Sequence, residues 1–195
     1  MNQHRANLHT DVGTVSSTAV RRPKTFTVLA ALITVGVAYA FARQVMHVPL
    51  QLPGHNGLHW IALLVAARLL ADRPWAASAV AAGTAVASAL PLLGFHEALS
   101  GWHYLLTGAV LDGLFVVFHA ACRQPWILAG IAAVAFMIKP VSKFVLGGAF
   151  GLHYGSLEHG LLYPLGTHLA FGFAGAMIGV SAVMLAHRVL QRGAR

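Results

Sequence analysis

The stretch that decides the fold is residues 161–190, LLYPLGTHLAFGFAGAMIGVSAVMLAHRVL. A helix that spans a bilayer needs roughly 20 mainly apolar residues, and this stretch exceeds that length. Five more segments qualify or nearly do so: residues 25–45, 57–71, 75–95, 102–122 and 126–149. The sequence therefore predicts an all-α integral membrane protein with six transmembrane helices.

The overall composition agrees with this class. Hydrophobic residues make up 57% of the 195 residues and charged residues 9%, whereas a soluble domain is typically about a quarter charged. The net charge of +8 does not indicate nucleic-acid binding, because the basic residues flank apolar runs. Cys122 is the only cysteine, which excludes an internal disulfide and a CxxC motif.

The distribution of Lys and Arg predicts the orientation. Basic residues are retained on the cytoplasmic side, and short loops carry the bias. With the N-terminus inside, the outer loops hold only Arg43. The cytoplasmic segments then hold Arg5, Arg21, Arg22, Lys24, Arg68, Arg73, Arg123, Arg188, Arg192 and Arg195. Both termini are therefore predicted to be cytoplasmic, in a bacterial inner (plasma) membrane.

The chain divides into a tail and one domain. Residues 1–24 are polar, rich in Ser and Thr, and end in the basic sequence RRPK. We expect a disordered cytoplasmic tail whose basic end anchors the topology. The apolar stretch behind it is too long for a signal peptide. Residues 25–195 are predicted to form a single six-helix transmembrane domain.

Ionisable residues inside predicted spans are functional candidates, because charge in the bilayer is costly. Asp112 is midway along the fourth span, and Lys139 is in the middle-to-outer part of the fifth. These spans are antiparallel neighbours, and the two residues differ in depth by roughly 7 Å at about 1.5 Å per residue. We expect a buried Asp112–Lys139 pair. Alternatively, Lys139 or Lys143 holds an anionic group of a ligand. Pro140 predicts a kink in this span.

Histidine is the most informative residue type, with 12 copies. Most fall in outer loops or at outer helix ends, where two glutamates also lie. The candidate metal- or ligand-binding residues are His47, His55, His59, His96, Glu97, His103, His153, Glu158, His159 and His168. Imidazole and carboxylate together suit nickel, cobalt, zinc or copper, so a transition-metal ion is one expected substrate. The alternative is that individual histidines are interfacial residues.

The longest predicted outer loop, residues 46–57, contains two prolines that stiffen it and glycines at which it can turn. Such a loop can lie across a cavity as a lid. Aromatic residues fall at the same level, and the aromatic belt of membrane proteins accounts for them. They are Trp60, Trp102, Tyr104, Tyr154 and Tyr163.

Small residues recur at helical spacing in several spans. Ala38 and Ala42 lie on one face of the first span, and Ala77, Ala81 and Ala85 lie on one face of the third. Close backbone contact at small residues drives helix association in lipid. These faces therefore either pack within the chain or dock another membrane subunit.

The chain is expected not to be an enzyme. It has no phosphate-binding Gly-Lys loop, so it carries no ATPase of its own. The serines in the spans lack the Gly-x-Ser context of an intramembrane protease. Paired-histidine motifs of a di-iron enzyme are also missing, apart from the spacing of His55 and His59.

These features resemble the substrate-binding (S) subunit of energy-coupling factor transporters. The resemblance is architectural and covers residues 25–190: six short spans, cytoplasmic ends, alanine-spaced helices and a long outer loop after the first helix. It implies capture of a vitamin or transition-metal ion from outside. It also implies that the chain, within the lipid bilayer, pairs with a transmembrane T subunit and with two cytoplasmic ATPases.

The segment MHVP at residues 46–49 is similar to the Met-His start of the cobalt and nickel members. In those members the motif is N-terminal and its free amine takes part in binding, whereas here it is internal. The resemblance also implies docking through the Ala38/Ala42 and Ala77/Ala81/Ala85 faces, and a lid formed by residues 46–57.

Three functions remain open from the sequence. The first is a substrate-capture subunit for a transition-metal ion or small vitamin-like molecule, energised by a separate ATPase. The second is a self-contained metal- or proton-coupled carrier. The third is a small structural or assembly protein of the membrane without transport activity.

Overall fold

The computed structural model describes residues 24–45, 52–90, 100–151, 154–157 and 160–193. Every regular element within those ranges is helical, as the sequence predicts. The α-helices are α1 (Thr25–Val45), α2 (Gly57–Ala71), α3 (Ala76–Ser88), α4 (Ser100–Val117), α5 (Pro125–Phe136), α6 (Ile138–Phe150) and α7 (Leu162–Gly193). Short 3-10 turns at Ala121–Arg123 and Gly155–Leu157 precede α5 and α7.

Among the residues that the structure describes, three helical stretches are long and apolar enough to cross a membrane. They are α1, α7, and α5 with α6 taken together as Pro125–Phe150. The remaining helices, α2, α3 and Gly101–Val117 of α4, are apolar but shorter. Their positions coincide with the other three predicted spans.

The break between α5 and α6 lies at Met137, where the sequence predicts a kink. Pro140 has no N–H to donate to the carbonyl of Phe136, and its ring crowds that carbonyl. Helix α5 accordingly ends at Phe136, and α6 begins at Ile138. This break puts Lys139 in the first turn of α6.

Helices α3 and α4 are shorter than predicted. Helix α4 ends at Val117 rather than at Cys122. Pro125 disfavours the helical conformation for the residue before it, and Gln124 is extended, with φ −93° and ψ 123°. Helix α3 ends at Ser88, and residues 91–95 of the predicted third span lie outside the described residues.

The helices approach one another most closely at glycine. Helix α3 packs between α1 and α4, and α7 packs between α2 and α5. A Cβ on Gly36 of α1 would overlap the carbonyl of Val80, and one on Gly83 of α3 would overlap the carbonyl of Ile33. Thr84 donates a hydrogen bond to the Gly36 carbonyl at 2.8 Å. Backbone contact and hydrogen bonding of this kind hold helices together where lipid offers no hydrophobic drive.

The alanine face of α3 packs inside the chain. Ala77 and Ala81 are fully buried, and glycines of α4 lie against this face. Ala85 is half-buried. The two buried alanines are therefore covered by α4, not by a partner. Ala38 and Ala42 of α1 are exposed, and for these two residues docking stays a prediction.

The antiparallel packing of α3 and α4 defines two ends of the bundle. Gly101 at the start of α4 lies against Ala85 near the end of α3. We call the end that holds Arg43, His59 and His103 the loop end. The opposite end, with the turns at residues 72–75 and 118–124, is the hairpin end.

Candidate ligand-binding site

Three aromatic side chains from three helices form a cluster at the loop end. Trp60 of α2 lies between Tyr39 of α1 and Tyr104 of α4, with ring-centroid distances of 4.8 Å and 5.0 Å. The first pair is tilted and the second is edge-on, arrangements that aromatic quadrupoles favour. Trp60 is 1% exposed and Tyr104 4%. The prediction that the aromatic belt accounts for these two residues is therefore wrong, because they face the interior of the bundle.

Two cationic side chains converge on the ring of Tyr104. The guanidinium carbon of Arg43 lies 5.5 Å from the ring centroid, and Nζ of Lys139 lies 5.4 Å from it. Both distances are within the range of a cation–π interaction. Arg43 also donates a hydrogen bond to the Tyr104 hydroxyl. The ring of Tyr104 thus lies next to one cationic side chain from α1 and one from α6.

Two polar atoms of the cluster lack a hydrogen-bond partner. They are the indole Nε1 of Trp60 and the hydroxyl of Tyr39, and both atoms are buried. Buried polar groups are normally hydrogen-bonded, and each exception calls for an explanation. Unmet donors within a cluster of rings and cations are expected where a ligand binds.

The two histidines of the α2 region both donate to nearby carbonyl oxygens. Nδ1 of His55 lies 2.7 Å from the carbonyl of Leu52, and Nδ1 of His59 lies 2.6 Å from that of Asn56. A carbonyl only accepts, so Nδ1 carries the proton and Nε2 is the acceptor nitrogen. The ring of His59 also meets Tyr39 edge-on at 5.7 Å.

His103 belongs to a short hydrogen-bond chain between α4 and α6. Ser142 donates its hydroxyl proton to the carbonyl of Lys139 at 2.9 Å. Nδ1 of His103 lies 2.8 Å from the same Ser142 oxygen, and it must therefore be the donor. His103 is 3% exposed, so this chain fixes α4 to the first turn of α6 in the interior.

His168 of α7 lies beneath the turn that precedes α2. Its Nδ1 donates to the carbonyl of Pro164 at 2.7 Å, and its ring packs on Phe136 with centroids 4.7 Å apart. Gly54, with φ +84°, is so close that a Cβ there would lie 2.8 Å from Nδ1 of His168. The described part of the predicted lid, residues 52–57, therefore rests on α7.

The metal prediction is tested only in part. Six of the ten candidates lie outside the described residues: His47, His96, Glu97, His153, Glu158 and His159. The other four, His55, His59, His103 and His168, lie at the loop end. Within the described part of the chain, no three His, Cys, Asp or Glu residues are grouped closely enough to hold a metal ion. Metal binding therefore stays a prediction.

Asp112 has partners other than the predicted Lys139. Its carboxylate accepts hydrogen bonds from the backbone and hydroxyl of Ser78, at 2.7 Å each, and from the backbone of Ala77 at 3.3 Å. Nε of Arg68 lies 3.7 Å from Oδ1. Sequence reasoning failed here because Asp112 sits on the α3-facing side of α4, whereas Lys139 reaches the ring of Tyr104.

Arg43 and Tyr39 are the site residues that sequence reasoning did not single out. They lie at i and i+4 on α1, which places both on one face of the helix. Arg43 is also the only basic residue assigned to the outer loops. The spacing and the outer position of Arg43 could have identified the two residues from the sequence. That they meet side chains of α4 and α6 is a property of the tertiary structure.

Comparisons with protein-family models, with curated proteins and with solved structures found no match to this chain.

Proposed function

We propose that this chain is a six-span inner-membrane protein that captures a small organic solute at the loop end. With both termini cytoplasmic, the loop end faces outside. The three long helices and the positive-inside asymmetry support this topology. Energy for uptake comes from separate ATPase subunits through a transmembrane T subunit, as the resemblance implies.

The observation that carries the proposal is the cluster of Tyr39, Trp60 and Tyr104 with its two cations. Small-molecule sites combine apolar and aromatic walls with a few placed polar groups, and this cluster provides both. We prefer an organic solute to a metal ion because the cluster offers ring surfaces beside the Arg43 guanidinium. Within the described residues, no three metal-ligating side chains are grouped there.

Analysis of small molecules that co-purify with the chain tests the capture function. We expect mass spectrometry of extracts from detergent-purified protein to reveal one solute in near-stoichiometric amount. The solute should be lost in Trp60→Leu, because that ring forms the centre of the cluster. Trp126→Leu is the matched control, since Trp126 is 66% exposed and lies at the hairpin end.

Two outcomes would contradict capture at this cluster. One is the absence of any enriched solute, and the other is equal enrichment in both tryptophan variants. Co-purification with a T subunit and ATPases would support the external energy source. Uptake by the purified chain alone in liposomes, driven by a proton gradient, would favour a self-contained carrier.

A further inference from the structure

We infer that the outward-facing groove between α5 and α7 holds one phospholipid from the leaflet at the hairpin end. One acyl chain lies in the groove, and the phosphate lies at the start of α5, next to the turn that carries Arg123. This site is separate from the loop-end cluster. The inference therefore goes beyond solute capture and shares with that proposal only the membrane topology.

The groove is bounded by one face of α5 and one face of α7. Its volume is about 670 Å³, and its lining consists of glycine, alanine and larger apolar residues, among them Gly130, Val134, Gly166, Leu169 and Phe173. Val134 is 53% exposed and Leu169 41%, so the groove opens away from the bundle. The part of an occupant that lies in the groove must be apolar, because a polar group there would lose its hydrogen bonds to water.

Two glycines make the groove wide. Gly130 and Gly166 lie within helices, where glycine is a poor helix former. Gly36, Gly175 and Gly179 are explained by packing, since a Cβ on each would overlap the backbone of another helix. For Gly130 and Gly166, in contrast, nothing lies within 4 Å of the Cβ position. Packing inside the chain does not require these two glycines, and their effect is to leave room between α5 and α7.

A flexible chain fits this groove better than a helix of another protein does. Trp126, one turn before Gly130, is largely exposed and stacks on Phe173 with ring centroids 6.5 Å apart. The two rings stand at the hairpin-end limit of the groove. A rigid helix that entered the groove would meet these rings, whereas an acyl chain can bend around them.

The length of the groove matches one acyl chain. Tryptophan is enriched at the interface between membrane and water, which places Trp126 at the level of the headgroups. From Trp126 to Val134, at about 1.5 Å per residue, α5 rises about 12 Å. One leaflet of a hydrocarbon core of roughly 30 Å is about 15 Å thick. The groove therefore extends from the headgroup level to near the bilayer midplane, which is the reach of one acyl chain.

The charge at the start of α5 complements a phosphate. Arg123 is exposed in the turn that precedes the helix, and arginine offers a planar fork that suits phosphate. Helix α5 begins at Pro125 and has no side-chain cap. Its first N–H groups and the positive end of its dipole therefore favour an anion at the same place. A phospholipid supplies both parts of the complement, an apolar chain for the groove and a phosphate for the helix end.

A matched pair of lipids tests the requirement for phosphate. Dioleoyl phosphatidylglycerol and dioleoylglycerol have the same acyl chains, and only the first has a phosphate. We expect native mass spectrometry of the delipidated chain to show one tightly bound phosphatidylglycerol. Dioleoylglycerol should bind about tenfold more weakly or less, the size expected for lost hydrogen bonds to a charged group. Equal affinity for the two lipids, or no saturable binding of phosphatidylglycerol, would overturn the inference.

Variants that fill the groove locate the acyl chain. Gly130→Leu and Gly166→Leu should fold, because nothing lies within 4 Å of either Cβ position, and each should lose most of the phosphatidylglycerol binding. Gly113→Leu is the matched control. Gly113 is an exposed helical glycine of α4, it also has nothing within 4 Å of its Cβ position, and it lies outside the groove. Unchanged lipid binding in folded Gly130→Leu and Gly166→Leu proteins would overturn the inference.

A second set of variants locates the phosphate. Arg123→Gln should weaken phosphatidylglycerol binding about tenfold and leave dioleoylglycerol binding unchanged, and Arg123→Lys should restore part of the loss. Arg192→Gln is the control, because Arg192 is exposed in the last turn of α7. Equal effects of Arg123→Gln and Arg192→Gln would show a diffuse attraction between basic residues and anionic lipid, and would overturn the inference.

A second copy of the chain is the competing occupant of the groove. The mass spectra that count bound lipid also report the oligomeric state. We expect a monomer that carries one lipid. A lipid-free dimer that is lost in Gly130→Leu and Gly166→Leu, and kept in Gly113→Leu, would show that the groove is a protein interface and would overturn the inference.

Discussion

Asp112 of α4 caps the N-terminus of α3 by accepting two hydrogen bonds from Ser78, one from its backbone and one from its hydroxyl, each 2.7 Å long. Helix α3 has no side-chain cap of its own, because the residue before it is Trp75. A carboxylate supplied by another helix meets the unpaired N–H groups and the positive end of the helix dipole. The charge of Asp112 also faces Arg68, so one residue ties together α2, α3 and α4.

Replacement of this carboxylate should destabilise the bundle. Asp112→Asn keeps one oxygen acceptor but loses the charge that meets Arg68 and the helix end. We expect a decrease of about 1–3 kcal/mol in the free energy of unfolding, measured by reversible denaturation in mixed micelles. Asp72→Asn is the control, because Asp72 is exposed and asparagine tolerates its left-handed backbone (φ 47°). Equal effects of the two variants would contradict the tertiary cap.

Alanine at the contact of α1 with α3 should also be destabilising. A Cβ at Gly36 would overlap the carbonyl of Val80, so Gly36→Ala should cost about 1–3 kcal/mol of overpacking. Gly113→Ala in α4 is the control, since nothing lies within 4 Å of its Cβ position. There alanine should gain up to about 1 kcal/mol from helix propensity. Thermal unfolding of the purified variants measures both effects, and a stable Gly36→Ala protein would show that the interface is looser than described.

The turn above His168 offers a third test. Gly54→Ala should lower both stability and solute retention, because a Cβ at φ +84° is strained and would press on the imidazole. Gly160→Ala shares the backbone strain, with φ +83°, but meets nothing within 4 Å. The difference between the two melting temperatures therefore isolates the contact with His168. Equal melting temperatures for the two variants would mean that the contact between Gly54 and His168 contributes nothing to stability.

The single cysteine can report the orientation of the chain. Cys122 lies in the turn between α4 and α5, which the proposed topology places in the cytoplasm. A membrane-impermeant maleimide should label it in inside-out vesicles and not in intact cells. Leu52→Cys in a Cys122→Ala background should show the reverse, because Leu52 is exposed near the loop end. Labelling of Cys122 in intact cells would refute the topology.

The rate of that labelling should depend on pH in a defined direction. Burial raises the pKa of the Cys122 thiol, and the Arg68 guanidinium offsets part of the rise. The thiolate is the reactive form, so at neutral pH the labelling rate should be lower than that of a free thiol. It should continue to increase at pH values where a free cysteine has levelled off. If the labelling rate of Cys122 levelled off at the same pH as that of a free cysteine, or at a lower pH, the raised pKa would be contradicted.

The described helices follow the sequence closely, and the reasons are local. Hydropathy places α1, α2 and α7, and Pro140 breaks the fifth predicted span at Met137 through its missing N–H and its ring. Helix ends were less predictable, because α4 stops at Val117 under the influence of Pro125 and the chain then tightens into a 3-10 turn. For the candidate site, the sequence predicts only the end of the bundle at which it lies, namely a layer of polar residues at the loop end.

The sequence by itself determined the helical class, the positive-inside asymmetry and the presence of Asp112 and Lys139 within apolar segments, since each is a property of consecutive residues. Only the tertiary structure decided that Asp112 meets Ser78 and that Arg43 joins Lys139 at Tyr104. The physical reason is that the residues contacted by a side chain depend on how its helix is rotated about the helix axis. That rotation is set by close backbone contacts at glycines between helices, which the spacing of residues along one chain does not reveal.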